Sequence, residues 1–263
     1  MLRNVNIHHS SIIEEGAQIG DGAFIGPFCF VGSRVKIGKN VKLKSHVVIK
    51  GDTFLGDNSI VFPFAVLGEI PQDRKFNGED TSLRIGERNQ IREHVTMNAG
   101  TKGGGGITEV GSGGLFMAGS HIAHDVKVGN DVILVNNAAL AGHCIIENSV
   151  IIGGLSGVHQ FVRIGEGAII GAVTMVTNDV IPFGLVQAPR GELDGLNLVG
   201  LKRKGVPRVD IMALRAAFQT LSQGDGTFQD RAQRLTDDSD SEYVEKIVSF
   251  VLGRSDRSFL TPR

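Results

Sequence analysis

Tryptophan is absent from this 263-residue chain, tyrosine occurs once, and there are only two cysteines. A large globular core normally contains more aromatic side chains, so we expect an architecture of thin aliphatic layers. Cys29 and Cys144 have no metal-binding or redox spacing, which predicts buried structural thiols. No segment approaches the roughly 20 apolar residues of a membrane span, and the N-terminus has no apolar signal core. These features predict a cytoplasmic protein without an integral membrane segment.

The chain also lacks an excess of either charge. It has 27 Lys and Arg against 28 Asp and Glu, which gives a formal net charge of −1. Global attraction to nucleic acid is therefore not expected, and no nucleic acid partner is predicted. A local basic run is present at Lys202, Arg203 and Lys204, with Arg208 close behind.

Glycine, by contrast, is abundant, with 36 residues, and aliphatic residues recur with a period of six. One series runs from Ile7 to Leu67, and a second, shifted by one position, runs from Val110 to Val176. Period six fits neither an α-helix nor a single strand, and it is the signature of a parallel β-helix of hexapeptides. In the known hexapeptide fold, three hexads make one triangular coil of about 18 residues, and neighbouring coils stack as in a solenoid. We therefore predict an all-β fold, a parallel β-helix.

Two interruptions of the repeat predict external loops near residues 68–84 and 100–109. The first is mostly polar, and because Ile85 follows Leu67 by 18 residues, it has the length of one full coil. The second contains four glycines at 103–106. It lacks the spacing of a phosphate-binding loop, so a flexible external loop is predicted.

The composition changes after the repeat ends. We divide the chain into a β-helix over 1–190 and a C-terminal α-helical subdomain over 191–263. Pro207 precedes an apolar helical face, Thr227 opens a short second helix, and Ser239 with Glu242 resembles a capping box for a third. The face that follows Pro207 consists of Ile211, Leu214, Phe218 and Leu221.

Two histidines and an aspartate stand within five positions of the second series, where the repeat itself requires only aliphatic and small residues. At 18 residues per coil, polar residues of successive coils fall into outward-facing columns. One column contains His124, Gly142 and Gln160, the adjacent column contains Asp125 and His143, and His121 lies near the same edge.

Two chemistries suit such a cluster. Three histidines can bind zinc, as in the gamma carbonic anhydrases, but the close pair here is three residues apart rather than five, so no metal is predicted. Alternatively, a histidine acts as a general base for a hydroxyl or amine that attacks an acyl carbon. A neighbouring carboxylate would orient the ring, and the Gly142 N–H would donate to the oxyanion. A non-catalytic scaffold, the remaining alternative, has no need of the cluster.

The chain resembles the UDP-N-acetylglucosamine O-acyltransferase family over essentially its whole length. The shared motifs are Ile25–Phe28, Leu43–His46, Gln72–Phe76, Gly78–Glu79, His121–Asp125, Gly142–His143, Val158–Phe161 and Gly200–Gly205. The resemblance implies a homotrimer of left-handed parallel β-helices with active sites between subunits and no cofactor. It implies transfer of an (R)-3-hydroxyacyl group from acyl carrier protein to the 3-position of a UDP-sugar, UDP-N-acetylglucosamine, which is the first step of lipid A biosynthesis.

The resemblance also implies roles for individual residues. His124 would be the general base, Asp125 its support, and Gly142 the oxyanion donor. Residues implied in substrate binding are Asp73, Lys75, His121, His143, Gln160, Ala172, Arg190, Asn197 and Arg203. Of these, Ala172 would limit the length of the acyl chain, to one no longer than a glycine would allow. The basic run would suit an acidic carrier protein.

The chain departs from the commonest family pattern at three positions. Asn98 and Ala99 replace a histidine and an arginine, and Arg190 stands in place of a histidine that contacts the nucleotide. Some family members acylate a 3-amino sugar nucleotide and form an amide. N-acylation of that analogue is therefore the alternative reaction.

Overall fold

The computed structural model describes residues 5–187, 191–236 and 240–262. Within them, most hexads fold as a two-residue strand followed by a two-residue turn. The first strand residue points outward and the second points inward: Lys36 is exposed, whereas Ile37 is 4% exposed. Three parallel sheets result, because each strand pairs with the strand one coil along. The predicted parallel β-helix is confirmed.

Strands are numbered in chain order. Sheet A comprises, in the described residues, β1 (Asn6–Ile7), β4 (Phe24–Ile25), β7 (Lys42–Leu43), β10 (Ile60–Val61), β13 (Gln90–Ile91), β16 (Leu115–Phe116), β19 (Ile133–Leu134), β22 (Ile151–Ile152), β25 (Ile169–Ile170), β27 (Gly184–Gln187) and β28 (Glu192–Leu196). Sheet B comprises β2 (Ile12–Ile13), β5 (Phe30–Val31), β8 (Val48–Ile49), β11 (Val66–Glu69), β14 (Thr96–Asn98), β17 (His121–Ile122), β20 (Ala139–Leu140), β23 (Gly157–Val158) and β26 (Met175–Val176). Sheet C comprises β3 (Gln18–Ile19), β6 (Lys36–Ile37), β9 (Asp52–Leu55), β12 (Ser82–Ile85), β15 (Ile107–Val110), β18 (Lys127–Val128), β21 (Ile145–Ile146) and β24 (Arg163–Ile164).

The inward residues form one continuous aliphatic core along the prism, and both cysteines belong to it. Cys29 is 2% exposed and Cys144 is fully buried, which confirms the predicted structural thiols. Burial raises the pKa of the Cys144 thiol to about 12, so this sulfur stays protonated and unreactive near neutral pH.

Both loops leave the prism at the edge between sheets B and C, called here the B–C edge. Loop 1 spans residues 70–81 and loop 2 spans residues 99–106. The strands β12 and β15 are longer than the two residues that the repeat predicts, so they include residues that had been assigned to the loops. Loop 1 is therefore shorter at both ends than predicted, and loop 2 begins one residue earlier and ends three residues earlier than predicted. The predicted full coil was also wrong: Leu67 lies in sheet B and Ile85 in sheet C, neighbouring faces that are normally six residues apart. Loop 1 thus inserts twelve residues. Loop 2, between Met97 and Val110, inserts seven, which explains the shifted register.

Beyond the prism lie the helices α1 (Leu198–Arg203), α2 (Arg208–Ser222), α3 (Phe228–Arg234) and α4 (Glu242–Leu252). The helix predicted after Pro207 and the one opened by Thr227 are confirmed, the latter with a capping box to Asp230. The helix predicted from Ser239 begins at Glu242 instead, and Ser239 lies outside the described residues. None of the helices that the structure describes is long and apolar enough to cross a membrane.

The stretch assigned to the helical subdomain opens with a strand. β28 pairs antiparallel with β27 and extends sheet A, burying Leu193. The C-terminal tail returns to the prism as well, since the Leu260 N–H donates to the carbonyl of Asp179. The division near residue 190 stays a prediction, but both sides of it contribute to sheet A.

Candidate active site

The predicted columns lie on the B–C edge, immediately after the two loops. The turns between β17 and β18, β20 and β21, and β23 and β24 carry residues 124–125, 142–143 and 160–161. The second residue of each turn has a positive φ: Asp125 at 60°, His143 at 63° and Phe161 at 66°. Successive coils therefore stack these side chains one above another.

His124 and Asp125 are neighbours whose side chains contact each other directly. His124 Nδ1 lies 2.7 Å from Asp125 Oδ2. The Asp125 side chain is 1% exposed and that of His124 is 15% exposed. Because a carboxylate only accepts hydrogen bonds, Nδ1 carries the proton in this contact. Nε2 is then the nitrogen left to accept a proton from a substrate.

Loop 2 covers Asp125. The Thr101 N–H donates to Asp125 Oδ1 at 2.7 Å, and the Thr101 hydroxyl donates to Oδ2 at 2.6 Å. The Asp125 N–H donates to the Thr108 hydroxyl at 2.8 Å. Asp125 points away from the prism axis as predicted, yet it is buried. The loop predicted to be a flexible external segment is thus part of the site.

Gly142 lies one coil beyond His124, directly against its ring. A Cβ at this position would be 2.5 Å from His124 Cε1, so any larger residue would displace the imidazole. Among the described residues the Gly142 N–H has no hydrogen-bond acceptor, whereas the Gly142 carbonyl accepts from Phe161. This N–H is therefore available to an oxyanion.

His143 stands between Asp125 and Phe161. Its Nδ1 is 3.7 Å from Asp125 Oδ2, and its ring stacks on Phe161 with centroids 4.5 Å apart. Burial lowers the pKa of His143 and outweighs the opposing effects of Asp125 and of Asp73 in loop 1. At neutral pH this histidine is consequently uncharged.

His121 lies on the outward face of sheet B. Its Nδ1 is 2.7 Å from the Thr96 hydroxyl, one coil back. Burial lowers the pKa of His121, and the nearby His124 lowers it further. The ring therefore enters the site as a neutral group that hydrogen-bonds without adding charge.

The edge separates two open clefts. The larger, of about 520 Å³, lies over sheet B, and the smaller, of about 310 Å³, lies under loop 1. The larger is lined by Gln72, His121, Ala123, His124, Ala139, Leu140, Ala141, Gly142, Gly157, Val158, His159 and Met175. The smaller is lined by Asp73, Lys75, Phe76, Glu79, Thr101, Gly103, His143 and Phe161. Loop 1 thus brings the predicted Asp73 and Lys75 to the same edge as His143.

Two polar residues that line the larger cleft were not predicted, His159 and Gln72. Arg257 from the C-terminal tail donates to His159 Nδ1 at 2.8 Å, which leaves Nε2–H of His159 as a donor. The preceding coils carry Ala123 and Ala141 at its hexad position, so a histidine there breaks the pattern, and this was the available signal. Gln160 was predicted instead; it is exposed and lines neither cleft.

Three other predicted residues lie away from this edge in the single chain. Ala172 is in a turn from sheet A to sheet B, and Arg203 is exposed on α1. Asn197 caps α1, where its Oδ1 accepts from Gly200 and its Nδ2 donates to Gly167. Arg190 lies outside the described residues.

The ligand atoms of His124, Asp125 and His143 all lie within 4.8 Å of one another, a spacing that suits a metal ion. The Asp125 carboxylate, however, already accepts three hydrogen bonds, two from Thr101 and one from His124. A metal ion would have to displace these donors, so the donor set favours proton transfer.

Two family models match the chain. One, described as Udp N-acetylglucosamine O-acyltransferase, Domain 2, covers residues 179–260. The other, Bacterial transferase hexapeptide (six repeats), covers residues 16–51. The matches fall on the C-terminal region and on the prism, respectively.

Relatives and solved structures agree over far more of the chain. An acyl-[acyl-carrier-protein]–UDP-N-acetylglucosamine O-acyltransferase of Paracoccus denitrificans is 66% identical over 77% of each chain. One of Aliarcobacter butzleri is 47% identical over 94% of this chain and 95% of the relative. The solved LpxA structure from Acinetobacter baumannii has a TM-score of 0.94 at 36% identity, covering 97% of this chain and 99% of that one. The left-handed sense predicted for the β-helix is confirmed. The chain belongs to the acyl-[acyl-carrier-protein]–UDP-N-acetylglucosamine O-acyltransferase family.

Proposed function

We propose that this acyltransferase transfers a (R)-3-hydroxyacyl group from acyl carrier protein to the 3-hydroxyl of UDP-N-acetylglucosamine, the first step of lipid A biosynthesis. The observation that carries the mechanism is the contact of His124 Nδ1 with the buried Asp125, which leaves Nε2 as the base. Its relatives are named for this acyl donor and this sugar nucleotide.

The reaction follows from this geometry. His124 Nε2 takes the proton of the sugar hydroxyl while the oxygen attacks the thioester carbonyl carbon. Asp125 stabilises the imidazolium, and the free N–H of Gly142 donates to the oxyanion. When the intermediate collapses, the C–S bond breaks and the imidazolium protonates the departing thiolate of the carrier.

We assign substrate contacts to the residues that face the two clefts. His121 and His143 are neutral hydrogen-bonding groups, and Asp73 and Lys75 reach the site from loop 1. Gln160 borders the same edge one coil beyond Gly142. Asn197 and Arg203 are proposed for the nucleotide and its phosphates; the Asn197 amide keeps one donor hydrogen and one lone pair after capping α1. Ala172 is proposed to limit chain length, and Arg190 to contact the nucleotide.

We also propose a homotrimer, because the outward faces of the three sheets differ. Sheet C presents charged residues, including Lys36, Arg84, Glu109 and Lys127. Sheet A presents an aliphatic stripe of Leu115, Ile133, Ile151 and Ile169, and sheet B presents Phe30, Val48, Val66, Ala139 and Met175. The edge that sheets A and B share exposes large apolar residues, with Phe28 at 60%, Phe64 at 49%, Leu155 at 66% and Val173 at 60%. Three prisms joined about this edge would cover both apolar faces.

In that trimer, sheet A of one subunit faces sheet B of the next and closes the larger cleft. Ala172, on the shared edge, then approaches a neighbour's cleft rather than its own. Light scattering of the purified protein is expected to give three times the chain mass of 28.1 kDa. A monomeric mass at micromolar concentration would contradict the trimer, and Ile151→Asp should shift the mass downward.

The acyl carrier partner has a basic surface available to it on α1 and α2. An open groove of about 570 Å³ there is lined by Lys202, Val206, Arg208, Ile211, Met212 and Arg215. Cationic residues around an apolar floor suit an acidic protein that carries an acyl chain. Acyl carrier proteins and nucleotide sugars are cytoplasmic, so we propose a cytoplasmic location.

The alternative acceptor is the 3-amino sugar nucleotide. Of the two departures, Asn98 donates through Nδ2 to the carbonyl of Ile70 in loop 1 at 2.9 Å, and the N–H of Ala99 donates to the carbonyl of Glu69 at 3.1 Å. They line neither cleft directly, so we favour the hydroxyl. An acyl transfer assay with purified protein should compare both acceptors against 3-hydroxyacyl carrier proteins of several lengths. Faster transfer to the amine would overturn the ester assignment.

A further inference from the structure

We propose that Thr101 is a positioning residue: it holds the Asp125 carboxylate and, through it, fixes the tautomer and orientation of His124. The proposal rests on the general-base role proposed for His124. It assigns a purpose to loop 2, whose glycine-rich sequence resembles neither a hexad nor a known binding motif.

Thr101, the third residue of loop 2, hydrogen-bonds both to Asp125 and to other residues of the loop. Its N–H and hydroxyl both donate to Asp125, while its carbonyl accepts from the N–H groups of Gly104, at 3.0 Å, and Gly106, at 2.8 Å. The residue is 7% exposed. Thr101 therefore holds the loop together through its carbonyl and binds the Asp125 carboxylate through its N–H and hydroxyl.

The glycines of the loop serve this contact. Gly104 packs directly on the Asp125 carboxyl group, and a Cβ there would overlap the carboxyl carbon and both oxygens. Gly105 ends the short 3₁₀ helix Lys102–Gly104 with a φ of 99°, a conformation that favours glycine. Loop 2 can thus approach Asp125 closely enough to exclude water.

The two carboxylate oxygens of Asp125 have different hydrogen-bond donors. Oδ1 accepts from the Thr101 N–H, and Oδ2 accepts from both the Thr101 hydroxyl and His124 Nδ1. Asp125 therefore cannot rotate without losing buried bonds to a charged group, which are among the stronger ones in proteins. A fixed Oδ2 holds the His124 ring with Nε2 directed to the substrate.

The first test removes one hydrogen bond and keeps the volume. Thr101→Val should lower kcat by about 10- to 100-fold, with KM within about twofold, since the lost bond acts on the base and not on substrate binding. Thr101→Ser, which keeps the hydroxyl, should regain most of kcat. Thr53→Val is the matched control, because its buried hydroxyl donates to the Lys50 carbonyl at 2.6 Å. This control should lower the unfolding temperature and leave kcat unchanged.

The second test asks whether Thr101 acts through Asp125. In an Asp125→Ala background, Thr101→Val should reduce kcat by less than about twofold further, because the two residues act as one unit. Losses that multiply independently would overturn the proposal. So would a Thr101→Ser variant as impaired as Thr101→Val.

A spectroscopic readout separates this proposal from the general-base assignment. In protein with ¹⁵N-labelled histidine, NMR should show His124 protonated at Nδ1, and Thr101→Val should weaken that preference. An unchanged His124 spectrum in Thr101→Val would overturn the positioning role even where kcat falls. Full transfer by His124→Ala would instead overturn the base, whatever the spectrum of Thr101→Val shows.

Discussion

Two edges of the prism carry columns of stacked side chains, and of these two only the B–C edge has a buried carboxylate in contact with a histidine. On the edge between sheets A and B, the rings of Phe28, His46, Phe64 and His94 follow one another with centroids 5.0 to 5.1 Å apart. On the B–C edge, His143 and Phe161 stack in the same way. All six of these residues, and Asp125, have a positive φ at the same position of their turns.

The two columns differ in two respects: the residue at one turn position, and a loop that covers it. Asp125 occupies the turn position that carries a ring in the other column, and loop 2 removes it from water. The repeat thus supplies the stacking geometry at both edges, whereas the insertions supply burial and hydrogen bonds at only one. We propose His124 as the general base, and not the histidines of the other column, because a buried carboxylate that accepts three hydrogen bonds lies beside it.

The largest effect is expected from removing the base. His124→Ala should lower kcat by about 10²- to 10⁴-fold, the usual contribution of general-base catalysis. The fold should persist, because the ring lies outside the aliphatic core. Steady-state kinetics with the unfolding temperature as control would measure this. Transfer at the parental rate would refute the assignment.

Gly142→Ala comes next. The added methyl group would displace the His124 ring and crowd the N–H proposed for the oxyanion, so a loss of about 10²- to 10³-fold in kcat is expected. Gly195→Ala is the matched control, since a Cβ there meets no atom within 4 Å. Equal activity in the two variants would remove Gly142 from the mechanism.

The two columns can be compared by the same replacement. His143→Phe keeps a ring on Phe161 but loses both nitrogens, and kcat/KM should fall by about tenfold, the cost of one lost hydrogen bond to substrate. His46→Phe makes the same change on the other edge, between Phe28 and Phe64, and should leave kcat/KM within about twofold. If both variants lose activity equally, the comparison between the edges fails.

The smallest effect concerns pH and stability. The pKa values of His121 and His143 are lowered by burial, so the unfolded chain binds more protons than the folded one as the pH falls below about 6.5, the ordinary histidine value. The free energy of unfolding should therefore decrease from pH 7 towards pH 5. Chemical denaturation at several pH values would measure the slope, which should be shallower in His143→Phe. An identical slope would contradict the cause.

The repeat was readable from sequence because inward residues have one requirement, an aliphatic side chain every six positions. The same count gave the column of His124 and Gly142, since both lie in uninterrupted coils. The count could not predict which sheet the chain joins after an insertion. Ile85 follows Leu67 by a multiple of six residues, yet it lies on the next sheet. Nor could it find Thr101, whose contact with Asp125 spans 24 residues and depends on how loop 2 folds back.

Contacts that involve the tail were also out of reach. Arg257 meets His159 from 98 residues away, and no periodicity relates the two. Ala172 and Arg203 were predicted as substrate-binding residues from family resemblance alone. In the single chain they lie apart from His124. In the trimer that we propose, their position relative to His124 depends on how the chains are arranged, which a sequence pattern within one chain does not contain.

The lengths of the two insertions have an evolutionary consequence. Loop 1 adds twelve residues, a multiple of the six-residue repeat, and loop 2 adds seven, which is not. The inward positions are nevertheless regular on either side of both loops, because pairing between coils fixes where the chain re-enters. Adding or deleting residues in a loop at this edge therefore leaves the inward positions of every later hexad unchanged. Loops beside the candidate active site can therefore differ in length while the prism that aligns the site stays the same.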